Sequence, residues 1–166
     1  MLLIRSIFVE FIDKSFAWGF FDGSVAGEPK ICGAWGMLYI SNEHYFSYRA
    51  GLGLGTNNYA ELCALELLLF LATRNHLEKI QIFDDSQLVI NWASGKYILM
   101  NLELSMILQD VNRIFDGFDY VSFQHIYRER NSSAYALAKS RGRILEGSWS
   151  IMEHRANAVV ETFQVF

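Results

Sequence analysis

Three carboxylates stand out by their surroundings: Asp22 in Phe20-Phe21-Asp22-Gly23-Ser24, Glu61 in Thr56-Asn57-Asn58-Tyr59-Ala60-Glu61-Leu62, and Asp85 in Ile82-Phe83-Asp84-Asp85-Ser86. Each borders apolar residues, where an acid is costly to bury unless positive charge meets it. Convergence of the three would make a cation site, and an all-oxygen donor set favours Mg²⁺ or Mn²⁺. Two such ions, about 4 Å apart, activate a water and stabilise the leaving oxygen of a phosphodiester. Taken singly, each acid has a plainer account: Asp22-Gly23 suits a turn, and Asp85 before Ser86 suits a helix cap.

The elements that would position these acids can be read from periodicity. Phe16–Asp22 has apolar residues on both alternation phases, as a strand covered on both faces would. Gly23–Lys30 is turn-forming, and Ile31–Ile40 and His44–Leu52 flank Ser41-Asn42-Glu43 as an antiparallel hairpin. Thr56-Asn57-Asn58 can cap a helix running to about Asn75, with Glu61, Leu65, Leu68 and Ala72 on its core-facing stripe. Lys79–Asp84 reads as a buried strand, Ser86–Ser94 as a short helix, Leu102–Phe115 as a longer one, Tyr120–Ile126 as another strand, and Ser132–Arg141 as a final helix begun by Asn131. The predicted class is α/β, a five-stranded mixed sheet with three antiparallel strands first, then parallel strands, and helices on both faces. Asp22 and Asp85 then lie at the carboxyl ends of strands, where crevices of open sheets bind ligands. Asp84 is expected on the face opposite Asp85, away from the ligands.

The 166 residues, 52% hydrophobic and 15% aromatic with a single Pro, exclude general disorder and fit one domain. No repeat or linker divides 1–166, so residues 1–14 and 147–166 are predicted to be peripheral extensions of a core at about 16–141. A net charge of −4 argues against a protein that binds only through phosphate neutralisation. Arg128, Arg130, Lys139, Arg141 and Arg143 nevertheless lie within sixteen residues whose only acid is Glu129; this stretch is either a site for an anionic partner or a solvated basic face. Cys32 and Cys63 have neither zinc-site nor disulfide spacing and read as core thiols of a reducing, intracellular compartment, cytoplasm or nucleus, with no disulfide-linked partner. The apolar run from Met1 is too short to span a bilayer and is broken by Arg5, so no membrane partner is expected.

The order and setting of the motifs resemble those of the ribonuclease H family, most closely the domains attached to plant retroelement reverse transcriptases. The resemblance is carried by Asp-Gly-Ser at 22–24, Thr-Asn-Asn-x-x-Glu at 56–61, Asp-Ser-Gln-Leu-Val-Ile at 85–90 and His-x-x-Arg-x-x-Asn at 125–131, and covers about residues 16–141. It implies cleavage of the RNA strand of RNA/DNA hybrids with Mg²⁺ or Mn²⁺, by a monomer or as part of a larger retroelement polyprotein. It further implies that Asp22 bridges two metals, that Glu61 and Asp85 complete one of them, and that His125 matches a mobile histidine that aids turnover. A histidine at a strand end among aromatic residues is also a common structural element. Ser24, Asn57 and Asn58 match contacts to the nucleic acid, whose 2′-OH suits amides that both donate and accept. Asn131 either serves the same surface or caps the last helix.

The family pattern breaks ten residues after His125. The fourth acid is expected there, and the chain has Tyr135, with no Asp or Glu from 132 to 144 to replace it. A neutral phenol is a poor Mg²⁺ ligand. The expectation is therefore a weakened hybrid ribonuclease, or alternatively an inactive module that binds nucleic acid or protein.

Overall fold

The computed structural model describes residues 2–6, 12–127 and 146–165. The alternation seen in the sequence divides the core into two layers. In β2 (Trp18–Ala26), Phe21 enters a large cluster with Leu62, Leu65 and Leu68, whereas Trp18 and Phe20 join Phe83 and Ile126 in a smaller one on the opposite face. The period of two along the strand thus assigns both faces to burial.

β3 (Ile31–Tyr39) pairs antiparallel with β2, and β4 (His44–Leu54) antiparallel with β3. After helix α1 (Asn57–Arg74), β5 (Lys79–Asp84) returns parallel to β2. Helices α2 (Gln87–Ala93) and α3 (Leu102–Phe115) then lead to β6 (Tyr120–His125), parallel to β5. These five strands and their directions match the sequence expectation.

The terminal segments depart from it. Among the described residues the sheet has eight strands, not five, in the order β1-β6-β5-β2-β3-β4-β7-β8. β1 (Leu2–Ser6) pairs parallel with β6, and the hairpin of β7 (Ser148–Arg155) and β8 (Ala158–Val165) continues the sheet from β4. What were expected to be peripheral extensions thus pair with both edges of the five-stranded core, supplying partners for strand N–H and C=O groups. The turn of the added hairpin contains no glycine: Ala156 adopts φ 45°, and its N–H donates to Glu43 O at 3.2 Å. Trp18, Tyr39, Tyr45 and His154 stand opposite one another on β2, β3, β4 and β7, and successive rings stack at 5.2, 5.0 and 4.5 Å. This ladder ties the hairpin to the core.

Helix α1 lies on the sheet as its sequence requires. Thr56 caps it, accepting from Tyr59 N at 3.2 Å, and Glu61, Leu65, Leu68 and Ala72 are all buried. Leu62, Leu67, Leu69 and Leu71 are buried as well, because α3 covers the side of α1 that the sheet leaves open. Each fully buried leucine contributes about 1.5–3 kcal/mol relative to exposure, so α1 is held firmly where it carries Glu61. Tyr48 of β4 lies wholly buried below and donates its hydroxyl to Ala64 O. The three described helices contribute to this one cluster; the final helix expected over 132–141, with Asn131, Tyr135 and the whole basic stretch 128–143, lies outside the described residues. No described helix is long and apolar enough to cross a membrane. Cys32 and Cys63 are free thiols, buried and half-buried respectively.

Candidate metal centre

Asp22 does not end its strand, as the sequence suggested. β2 continues to Ala26, because Gly23–Ala26 remain paired with β3 after the rungs shared with β5 stop at Phe20 and Phe83. Seen from β5, Asp22 therefore projects past the last common rung, beside the segment that follows Asp84. Gly23 makes the next step possible. A Cβ there would lie 2.4 Å from the backbone of Ala60 and Glu61, so only glycine lets α1 approach closely enough to set Glu61 beside Asp22.

Four carboxylates meet at this point. Asp22, Glu61, Asp84 and Asp85 each offer an oxygen, and these atoms all lie within 4.8 Å of one another. Asp22, Glu61 and Asp84 are buried, Asp84 completely, and Asp85 is half-buried. The three acids expected to converge do so, and Asp84 joins them against the expectation that it points away. Along β5, Asp84 continues the phase of Ile80 and Ile82, which pack in the cluster under α1. That is the face from which Glu61 descends. Asp85 lies beyond the strand, where alternation no longer dictates direction. The Asp84-Asp85 doublet in the sequence was the available signal, and the rule of alternating faces was applied one residue too far.

The electrostatics follow from this crowding. Burial, then the charge of Asp84, then the hydrogen bond to Asp22 and the charges of Asp22 and Asp85, push the Glu61 carboxyl up to about 12. Burial, followed by the charges of Asp85 and Asp22, holds Asp84 well above the usual carboxylate range, although N–H groups of Ser86 and Asp85 pull the other way. Asp22 Oδ1 accepts from Gly23 N at 3.0 Å, and Asp84 Oδ2 from Ser86 N at 3.1 Å. Glu61 Oε2 and Asp84 Oδ1, both buried, have no hydrogen-bond partner. Orphaned carboxylate oxygens in a ring of acids are what a hard cation would satisfy, and its charge would reverse these upward shifts.

The remaining predicted residues flank the cluster. His125 stands opposite Asp84 in the β5–β6 register, and its Nε2 lies 3.1 Å from Asp85 O, so this nitrogen is the donor; its ring meets Tyr127 edge-on at 5.8 Å. Ser24, half-buried, shares the phase of Asp22 on β2. Asn57, exposed, and Asn58, half-exposed, open α1 one turn before Glu61 and so share its side of the helix.

A family model described as reverse transcriptase-like matches residues 20–141. Over 121 residues the chain is 31% identical to ribonuclease HI of Halobacterium salinarum, an alignment covering 72% of this chain and 60% of that protein. The chain belongs to the ribonuclease H family. The crystal structure of the halobacterial ribonuclease H1 superposes with a TM-score of 0.69 at 28% identity, covering 76% of this chain and 96% of that one. LC11 ribonuclease H1, isolated from compost by a metagenomic approach and crystallised with an RNA/DNA hybrid, superposes at 0.64 with 25% identity, covering 75% and 94%. The chain thus spans about 60% of the length of the curated ribonuclease it matches, and the segment matched by the family model, residues 20–141, holds the four carboxylates, His125 and both asparagines of α1.

Proposed function

We propose that this protein hydrolyses the RNA strand of RNA/DNA hybrids at the carboxylate cluster, with Mg²⁺ or Mn²⁺ as cofactor. The observation that carries the reading is the meeting of Asp22, Glu61 and Asp85 within 4.8 Å, on a ribonuclease H fold, with a buried Glu61 oxygen left without a partner. An all-oxygen donor set suits those hard cations. Bound there, a pair of divalent ions supplies an activated water and charge stabilisation for the departing ribose oxygen. The chain's own residues do the positioning. Asp22, Glu61 and Asp85 would hold the ions: Asp22 is fixed by its strand and by the Gly23 N–H, Glu61 by the close approach of α1, and Asp85 follows the end of β5. Ser24, Asn57 and Asn58 present hydroxyl and amide groups to the backbone and 2′-OH of the hybrid, with Asn131 as a further contact. His125, held beside Asp85, assists proton movement and release of the product.

Tyr135, in place of the family's fourth acid, lowers the rate without removing the three converging ligands. Membership of a reverse transcriptase-like family suits a role within a larger retroelement polyprotein. Incubation of pure protein with a hybrid labelled in the RNA strand tests the activity: cleavage is expected with Mn²⁺ or Mg²⁺ and none in EDTA. No cleavage with either ion at high enzyme concentration would contradict it. Hybrid binding that persists in EDTA and weakens with salt would then identify a binding module instead.

A further inference from the structure

We propose that Asp84 is a cation ligand of this chain and supplies the fourth carboxylate that position 135 does not. The inference rests on the reading of the cluster as a divalent-cation site. Three features of Asp84 support it. Its side chain is entirely buried, yet only one oxygen is used: Oδ2 accepts the Ser86 N–H, while Oδ1 has no partner. A local structural role accounts for Oδ2 alone. The N-terminus of α2 is already capped by the Ser86 hydroxyl, which accepts from Val89 N at 3.3 Å, so capping does not require a second carboxylate oxygen. A buried acceptor left unmade is costly, and more so when charged, so an unpartnered Oδ1 on a carboxylate grouped with three others is a poor arrangement for a purely structural residue.

Position and charge lead to the same assignment. The β5 phase Ile80, Ile82, Asp84 sets this carboxylate on the face from which Glu61 approaches, and its oxygen lies within the 4.8 Å span of the other three. Two divalent cations bring four positive charges. Asp22, Glu61 and Asp85 offset three, and the sequence provides no further acid between 132 and 144. Asp84, next to the third acid in the motif order, restores the balance.

The test is Mn²⁺ binding, measured by calorimetry and by the rise in melting temperature it produces, for wild type, Asp84→Asn and Asp85→Asn. The asparagine keeps the acceptor for Ser86 N–H, so Asp84→Asn should melt in EDTA no lower than wild type. Asp84→Ser, which also retains a short acceptor, serves as a second variant. Both changes at 84 are expected to weaken Mn²⁺ by about ten-fold or more and to remove most of the Mn²⁺-induced stabilisation, as Asp85→Asn should. Wild-type Mn²⁺ affinity in both Asp84 variants, with loss in Asp85→Asn, would overturn the role of Asp84 and leave the metal centre standing. No Mn²⁺ binding by the wild-type protein would overturn both.

Discussion

Glu61 and Glu66 stand on one helix, five residues and about 140° apart, and both are pushed up from the ordinary glutamate range, first by burial. Glu61 reaches about 12 and faces three other carboxylates. Glu66 reaches only about 7, faces the single charge of Asp110, and lines an open cavity of about 520 Å³ between α1, α3, Leu52 and Trp149. A raised carboxyl therefore does not by itself mark a site. What distinguishes Glu61 is the convergence of acids from three elements and the buried oxygens left without donors; what Glu66 shows is an acid partly covered by the packing of α1 and α3.

The largest effect separates these two residues directly. Glu61→Gln should lower hybrid cleavage by about 100-fold or more, since loss of roughly 3 kcal/mol of charge stabilisation corresponds to that factor, whereas Glu66→Gln should leave the rate unchanged. Similar losses in a cleavage assay would erase the distinction. Next in size, Tyr135→Asp should raise the rate of the Asp84→Asn variant by about ten-fold but that of the wild type much less. Equal gains would show that the two positions do not share a task.

A smaller effect tests how Glu61 is delivered. Gly23→Ala places a Cβ against the backbone of Ala60 and Glu61, and should cost about 2 kcal/mol, or about 4–8 °C in a thermal melt. The smallest concerns Glu66 and pH. Its folded pKa lies above its ordinary value of 4.5, so between about pH 4.5 and 7 the folded protein retains a proton that the unfolded chain releases. Stability should fall as pH rises through that window, with the full penalty present above it. Glu66→Gln should thus raise the melting temperature at pH 8 by about 2–4 °C, given partial solvation of the group, and leave it unchanged below pH 4.5. A gain at low pH would contradict the assignment.

Much of this arrangement was legible in the sequence for physical reasons. Aromatic and branched residues at period two marked the five core strands, Thr56 marked the start of α1, and the stripe from Glu61 to Ala72 marked its buried side. The bounds of α3 were read directly. The β7–β8 hairpin was missed because Ala156-Asn157 turns with a positive φ and without glycine, and because the pairing capacity of the β4 edge is a tertiary property. The extension of β2 beyond Asp22 was hidden by Gly23, which reads as a turn but serves helix packing. Asp84 was set aside by an alternation rule that ceases to apply where β5 ends.

The central claim is that the carboxylate cluster is a catalytic metal centre, and the most direct measurement is cleavage of the RNA strand of a hybrid by wild type and Glu61→Gln in the presence of Mn²⁺. The account predicts cleavage by the wild type that EDTA abolishes and the substitution reduces by about 100-fold or more. Cleavage that survives Glu61→Gln undiminished, or a wild-type protein that binds Mn²⁺ and never cuts, would contradict it.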